Sequence, residues 1–392
     1  MGTRLLKDNV YWVGAIDWDR RLFDSLIPLP DGTSYNAYLV RGSEKTVLLD
    51  TVDPTMAEVL LSQLESVPNV DFVVAHHAEQ DHSGTLPLVL EKYPLAKVLT
   101  SQSAKRMLVD LLCIPEERIV TVADGETLSL GDRTLEFIYT PWVHWPETMV
   151  TYLKEAGILF SCDFFGSHLA SSELYSSTDD RVQEATKRYY AEIMMPFRKA
   201  IQKNLEKIKG KEIHLIAPSH GPVHDKPAEI LGTYRNWVSD AVSNQVVIPY
   251  ISMHGSTKKM VEHLVSALVG EGVTVFQFDL AVTDIGKVAI ALVDAATLVI
   301  GTPIVHAGAH PLVFYAAGLV NALRPKLKYA SVIGSFGWGG KVVEQIQSLI
   351  PNLQVELLEP VMCKGFPREK DFKALEDLAA TIVEKHKLLA AA

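Results

Sequence analysis

The densest chemistry in the sequence is the hexapeptide His77-Ala78-Glu79-Gln80-Asp81-His82, with four metal-capable side chains. It follows the apolar run Phe72-Val73-Val74-Ala75, so these side chains sit in a loop at the C-terminal end of a strand. A rigid strand feeding a polar loop is where α/β folds place their chemistry. The plain alternative, a solvated charged turn, fits poorly with so many ligand types so close together. Three more segments carry metal-type residues after apolar runs. They are His144 in Pro141-Trp142-Val143-His144-Trp145-Pro146, Asp163 after Gly157 to Cys162, and His220 in Ala217-Pro218-Ser219-His220-Gly221. Each alone reads as an ordinary strand-end residue. Beside the hexapeptide they complete a set of four imidazoles (His77, His82, His144, His220) and three carboxylates (Glu79, Asp81, Asp163). A mixed nitrogen and oxygen set without thiolate suits non-haem iron or manganese. Asp163 is the natural bridge, since one carboxylate can share two cations. His224 rivals His220, but Gly221 allows the tight turn that aims His220. His76 points away from His77 if the strand continues through it, which makes it an outer or surface histidine.

A second constellation lies further along. Ser252-Met253-His254-Gly255-Ser256-Thr257 stands between a buried-type strand, Val246 to Ser252, and a helix, Thr257 to Val269. Hydroxyls, a glycine and successive backbone N–H groups at a helix N-terminus make an anion site suited to a terminal phosphate. The segment matches neither the dinucleotide glycine motif nor the Walker loop, and an ordinary serine-rich cap is the alternative. Two later loops strengthen the phosphate reading. One is Gly301-Thr302-Pro303-Ile304-Val305-His306-Ala307-Gly308. The other is Gly334-Ser335-Phe336-Gly337-Trp338-Gly339-Gly340. All three follow expected strands, and so lie at the C-terminal edge of one sheet, where ligands bind at a switch point. Their glycines let backbone approach a planar ring, and Phe336 or Trp338 could border it, with core packing as the alternative for both.

The elements that position these residues change rhythm along the chain. The first half reads as short, irregularly spaced strands. Among them are Tyr11 to Trp18, Ser34 to Val40, Lys45 to Asp50, Thr134 to Thr140 and Thr148 to Leu153, with a long helical stretch from about Asp180 to Lys209. From about Asn244 strands and helices alternate. The strands Val246 to Ser252, Val273 to Phe278, Leu298 to Gly301, Tyr329 to Gly334 and Leu353 to Glu359 predict a doubly wound parallel sheet.

Composition limits the function. At 392 residues the chain is long enough for two domains, and 48% apolar against 21% charged residues is an ordinary globular balance. A formal net charge of −10 disfavours general nucleic-acid binding, which needs a basic surface. Three scattered cysteines, Cys113, Cys162 and Cys363, offer no disulfide framework and no cysteine-bound iron centre. No targeting segment or membrane span is read, so a cytoplasmic protein is expected.

The H-x-E-x-D-H loop, followed by His144, Asp163 and the Ser-His-Gly turn at His220, resembles the metallo-β-lactamase superfamily. Glu79 stands where the zinc enzymes have a second histidine. The Ser252 to Thr257 loop is similar to the phosphate loop of flavodoxins, which bind FMN. Together, over nearly the whole chain, the two halves resemble the flavodiiron proteins, or A-type flavoproteins. The resemblance implies a metallo-β-lactamase-like αββα domain over residues 1–243 and a flavodoxin-like domain with a five-stranded parallel sheet over 244–392. It implies one iron on His77, Glu79 and His144, another on Asp81, His82 and His220, and Asp163 bridging them. Tyr189, in Arg188-Tyr189-Tyr190-Ala191, matches a family tyrosine near the iron pocket. The family reduces dioxygen to water or nitric oxide to nitrous oxide. Its head-to-tail homodimers, sometimes paired again, place one subunit's FMN beside the partner's irons. An external donor is implied, a rubredoxin or a reduced deazaflavin. Many members carry a Phe-His pair early in the chain where Phe23-Asp24 stands here, which leaves the O2 or NO preference open. Two other classes remain, a zinc hydrolase and a flavodoxin-type electron carrier. The former conflicts with Glu79 and the second half, the latter with the intact ligand set.

Overall fold

The computed structural model describes residues 2–391. The chain divides into two compact units, one reaching Tyr190 and resuming over Phe197–Val238, the other comprising Ala191–Pro196 and the chain from Ser239 on.

The first unit is built on two sheets. One has seven strands in the order Arg4–Lys7, Val10–Trp12, Tyr38–Arg41, Thr46–Leu49, Phe72–Val74, Lys97–Thr100, Ile119–Thr121. The other has five, Thr127–Ser129, Thr134–Tyr139, Met149–Leu153, Ile158–Cys162, Leu215–Pro218. Alternation along the strands sorts side chains into two cores. Val47, Leu49 and Val74 join Phe137, Met149 and Phe160 between the sheets. Leu48, Val73 and Val98 face the other way, against Leu60, Leu86 and Leu108 of the helices Ala57–Gln63, Leu86–Lys92 and Gln102–Leu112. Period-two burial on both faces is what a sheet sandwiched between a second sheet and helices requires. On the second sheet's side, the helix Arg198–Ile208 buries Ile201, Leu205 and Ile208. This is the αββα arrangement.

The expected early strands are interrupted. Tyr11 to Trp18 divides into Val10–Trp12 and Ala15–Asp17, and Ser34 to Val40 into Thr33–Tyr35 and Tyr38–Arg41. The breaks face each other. A Cβ on Gly14 would lie 2.3 Å from the carbonyl oxygen of Tyr35. The Asn36 backbone N–H leaves the ladder to donate to the Ser219 carbonyl at 2.8 Å, and its side-chain Nδ2 donates to the carbonyls of Pro218 and Gly221, at 2.8 and 2.7 Å. The expected long helix is also broken. An α-helix at Val182–Tyr189 passes through a π-turn at Tyr190–Met194 and a 3-10 turn at Met195–Phe197 before Arg198–Ile208. Pro196 supplies no N–H and cannot continue a regular helix.

The second unit is a parallel sheet with helices on both faces, in the order Thr274–Asp279, Ser243–Tyr250, Ala295–Val305, Tyr329–Phe336, then Glu356–Leu357 and Val361–Lys364. In chain order this is 2-1-3-4-5, the flavodoxin-type order, with the switch point between the first and third strands. The fifth strand is split in two around Pro360 rather than continuous from Leu353 to Glu359. No helix among the described residues is long and apolar enough to cross a membrane.

Candidate functional site

The seven metal-type residues of the first unit come together at one edge of its two sheets. His77 and Glu79 lie in the loop leaving Phe72–Val74, and the short helix Gln80–Ser83 carries Asp81 and His82. His144 sits between Thr134–Tyr139 and Met149–Leu153, Asp163 follows Ile158–Cys162, and His220 follows Leu215–Pro218. They form two groups that share Asp163. His77 Nε2 lies 3.0 Å from Glu79 Oε2 and 3.5 Å from Asp163 Oδ2. His144 Nε2 lies 3.1 and 3.3 Å from the same two oxygens. On the other side, His82 Nε2 is 2.9 Å from Asp163 Oδ1 and 3.3 Å from Asp81 Oδ2. His220 Nε2 is 3.5 and 3.1 Å from those oxygens. Asp163 therefore turns one oxygen to each group.

Hydrogen bonding decides what these contacts are. His220 Nδ1 donates to the carbonyl oxygen of Ser34 at 2.7 Å, so in the neutral ring its Nε2 is a bare lone pair. His77 Nδ1 lies 2.8 Å from Glu147 Oε1, and donation to that carboxylate leaves its Nε2 bare as well. Both lone pairs point at carboxylate oxygens. Both Asp81 oxygens and Asp163 Oδ2 are buried without a hydrogen-bond partner. Acceptors converging in this way demand positive charge between them. Without a metal the rings must supply it as protons. Burial lowers the pKa of His77, His82 and His144, but the carboxylates around them outweigh it and hold each at about 10. The same carboxylates, paired with those rings, have depressed pKa values at Glu79 and Asp163 despite burial. Metal cations replacing those protons would give the converging ring nitrogens and carboxylate oxygens a common partner, and the mixed nitrogen and oxygen donor set fits iron. Cys162 adjoins His82 and Asp163, but burial and the Asp163 charge push its thiol up, which makes it the poorer ligand.

The surroundings hold the ligands in place. Asn36 clamps the turn carrying His220, with Trp12 Nε1 donating to its Oδ1 at 2.9 Å and Tyr38 donating to the same Pro218 carbonyl at 2.7 Å. Gly221 has φ +76°, where a Cβ would collide with Ser167 Oγ. Four non-glycine residues beside the ligands also have positive φ, namely Asp50, Trp142, Cys162 and Phe165. Such strain concentrates at functional sites. His224 stays outside both groups, with Nε2 2.8 Å from the Phe165 carbonyl. His76 is buried rather than at the surface, with Nδ1 2.7 Å from Asp50 Oδ2 and Nε2 2.7 Å from Thr151 Oγ1. Tyr189 is buried and donates to Asp163 Oδ1 at 2.9 Å.

Three neighbours escaped the sequence reading. His168 is buried, with its ring centroid 4.6 Å from that of His220 and 4.9 Å from that of Tyr189. Its Nδ1 meets Thr33 Oγ1 at 2.9 Å, its Nε2 has no partner, and burial holds its pKa well below the ordinary value. Glu147 backs His77, and Thr33 backs His168. None lies in a metal-type pattern, and only the fold brings them to the site. Phe23 packs on His168 with centroids 4.9 Å apart. Asp24 and Ser25, at φ 49° and 54°, form the tip of its hairpin. Partial burial and the charges of Glu79 and Asp81 push the Asp24 carboxyl up.

In the second unit the three loops do follow adjacent strands of one sheet. Ser252, Met253, His254 and Gly255 form the first, and Ser256 and Thr257 begin the helix Ser256–Gly270. Ser252 Oγ accepts from the Lys258 N–H at 3.1 Å, and buried Thr257 pairs with Ser335 at 3.2 Å across to the third loop. The second segment is less of a loop than expected. Thr302, Pro303, Ile304 and Val305 extend the strand Ala295–Val305, which pairs back with Gly308–Ala309 through a two-residue turn at His306 and Ala307. Both turn residues have positive φ, 49° and 61°, which suits a primed hairpin turn. Phe336 likewise ends a strand and is half-buried, while Trp338 is 61% exposed among Gly337, Gly339 and Gly340. A Cβ on Gly255, Gly337 or Gly339 would meet nothing within 4 Å, so these glycines border open space. Free backbone at a helix N-terminus, open glycine edges and an uncovered indole fit a flavin with a phosphate tail.

Residues 33–221 match the model of the ODP family beta lactamases. The nitric oxide reductase of Moorella thermoacetica is 34% identical, across 97% of this chain and 98% of its own length. The coenzyme F420H(2) oxidase of Methanothermobacter marburgensis is 32% identical, across 89% and 90%. Among solved structures, the rubredoxin oxygen:oxidoreductase of Desulfovibrio gigas superposes over the full length of both chains, with a TM-score of 0.95 at 32% identity. The flavodiiron protein of Giardia intestinalis covers 99% of this chain and 97% of its own, with a TM-score of 0.91 at 26% identity. With relatives above 30% identity matched along nearly its whole length, the chain belongs to the flavodiiron, or type A flavoprotein, family.

Proposed function

We propose that this oxidoreductase reduces dioxygen to water, nitric oxide to nitrous oxide, or both, at two non-haem irons, and that FMN relays electrons from an external donor. The observation that carries this reading is Asp163, with one carboxylate oxygen in each of two ligand groups and a tyrosine hydroxyl on one of those oxygens. His77, Glu79 and His144 would hold one iron, Asp81, His82 and His220 the other. Held there, two adjacent irons would supply electrons and Lewis-acid stabilisation of developing negative charge.

The chain's own residues prepare the pocket. Ser34, Glu147 and Asn36 fix the tautomers and the turn, so that ligand lone pairs face inward without rearrangement. Tyr189 holds its proton at Oη, because burial and the Asp163 charge raise its pKa well above the ordinary value. Phe23 and the His168 ring wall the His220 side against water. In the second unit, the N–H groups after Gly255 would hold the FMN phosphate, and the edges at Thr302 to Ala307 and Ser335 to Gly340 its ring system.

Three scattered cysteines cannot build a rubredoxin-type centre. The donor in this reading is a rubredoxin or a reduced deazaflavin, and the relatives named for rubredoxin and for coenzyme F420H(2) support both. A head-to-tail homodimer would bring each FMN to the partner's irons. The test is iron and flavin analysis of purified protein, then O2 and NO consumption with each donor. The expected result is about two irons and one FMN per chain. Stoichiometric zinc with no flavin absorbance would overturn it. Complementation between His144→Ala and a flavin-free variant tests the dimer, since heterodimers that form yet stay inactive would exclude cross-subunit transfer.

A further inference from the structure

The seven ligand side chains divide evenly by charge. Each group has one carboxylate of its own, Glu79 or Asp81, and one oxygen of Asp163. What lies behind the imidazoles is not even. The far nitrogen of His220 donates to a neutral carbonyl, that of Ser34. The far nitrogen of His82 is buried with no partner. The far nitrogen of His77 donates to a carboxylate, Glu147, at 2.8 Å. The same Glu147 oxygen accepts the Ala78 N–H at 3.0 Å, while its other oxygen is buried without a partner. The Glu147 side chain is fully enclosed.

A buried carboxylate with one idle oxygen is costly, and packing does not require it. A glutamine has the same shape and could accept both hydrogen bonds through its oxygen. What only the glutamate offers is negative charge one imidazole away from a single metal position. A carboxylate that takes the Nδ1–H of a ligating histidine raises electron density on its Nε2 and makes it a stronger donor. Stronger donation favours the more highly charged metal.

We propose that Glu147 is an anionic positioning residue that acts through His77 to make the two irons unequal, favouring the ferric state at the iron held by His77, Glu79 and His144. The neighbour on Asp81, His82 and His220 has no carboxylate hydrogen-bonded behind its imidazoles, since the buried Asp50 near His82 is bonded to His76 instead, and it keeps its electron longer during oxidation. The inference rests on the diiron reading above. It assigns the order in which the two irons are oxidised, which the ligand set alone leaves symmetric.

The test is a redox titration of protein loaded with isotopically enriched iron, followed by Mössbauer spectroscopy, on wild type and Glu147→Gln. Wild type should pass through a mixed-valence state with one well-defined ferric site. In E147Q iron content should hold. The ferric preference of one site should fall about tenfold, a rise of about 59 mV for one electron, while the other site moves much less. Glu147→Ala also removes the hydrogen bonds. It should lose about half the iron, and the signal left should be the one that E147Q does not move. Equal shifts at both irons, or none in E147Q, would overturn the proposal. A wild-type protein that binds no iron would instead sink the diiron reading itself.

Discussion

The two units hold their chemistry in opposite ways. The first gathers seven charged or ionisable side chains from four separate strand ends and buries five of them. The second presents backbone edges, glycines and an uncovered tryptophan on loops that remain largely open. A site made of side chains is specified by residue identity. A site made of backbone is specified by the absence of Cβ atoms and by φ. The first should fail abruptly when one ligand is lost, the second gradually as its edges are filled.

The largest effect should follow Asp163→Ala. Its oxygens serve both groups, and its loss leaves His77, His82 and His144 without their shared anion. Loss of an outer partner of a ligand costs 10–100-fold in metal affinity or activity, so loss of the shared ligand should cost at least about a hundredfold. Iron analysis and turnover with an external donor check this. Flavin absorbance should be unchanged. Simultaneous loss of flavin would mean that the two sites are not independent.

Legibility in the sequence follows the same division. His77 through His82, His144, Asp163 and His220 could be named because metal-type side chains at strand ends are conspicuous, and the structure brings all seven together. Glu147 and His168 could not, because each matters only for what it touches across the fold, 70 and 135 residues away in sequence. The parallel alternation of the second half was readable, but the length of its third strand was not. Thr302 to Val305 look like a loop because of Pro303, yet hydrogen bonds to Gly308–Ala309 keep them in a hairpin. In the first half, the breaks at Gly14 and Asn36 come from tertiary contacts, which period-two patterns do not report.

A paired change in the second unit sharpens the contrast. Gly337→Val with Gly339→Val should weaken flavin retention while leaving iron content intact, since both new side chains enter open space. Gly334→Ala should act differently. Its Cβ would lie 2.0 Å from the Thr302 carbonyl oxygen, an overpacking that costs about 1–3 kcal/mol of fold stability. Flavin fluorescence on release and thermal unfolding separate the two. If the double valine variant melts early but keeps its flavin, the open edge is not the cradle.

A subtler comparison lies within the first unit. His220 and His224 are four residues apart and both buried, and in sequence only Gly221 tells them apart. His220→Ala should lose iron and activity, because its Nε2 faces Asp81 and Asp163. His224→Ala should keep most of both, because its Nε2 is engaged by the Phe165 carbonyl. Reversed effects would break the assignment of the turn at Gly221.

The smallest expected effect is the pH dependence of stability that His386 gives the second unit, set against the ligand histidines of the first. In the second unit, His386 bridges Asn244 Oδ1 and Thr297 Oγ1, at 2.7 Å each, and burial lowers its pKa below the ordinary 6.5. A lowered pKa means that the unfolded chain takes up the proton more readily. The contribution of His386 is therefore fully present above about pH 6.5 and is lost as pH falls below it. The ligand histidines of the metal-free first unit have the opposite sign, while buried His168 and His224, whose pKa values are lowered, share that of His386. His77, His82 and His144 are raised to about 10, so their contribution is complete below about pH 6.5 and declines as pH rises towards 10. Iron binding replaces those protons and should remove that decline. Calorimetry of metal-free protein between about pH 5 and 9 should therefore show the second unit losing stability only on the acid side and the first also on the alkaline side, with iron abolishing that alkaline decline. His386→Leu leaves the buried Thr297 hydroxyl unpaired, at a cost of about 1–3 kcal/mol, so the slope and not the midpoint is the measure. That variant should flatten the acid side of the second unit's transition. An unchanged slope would place the titrating group elsewhere in that unit.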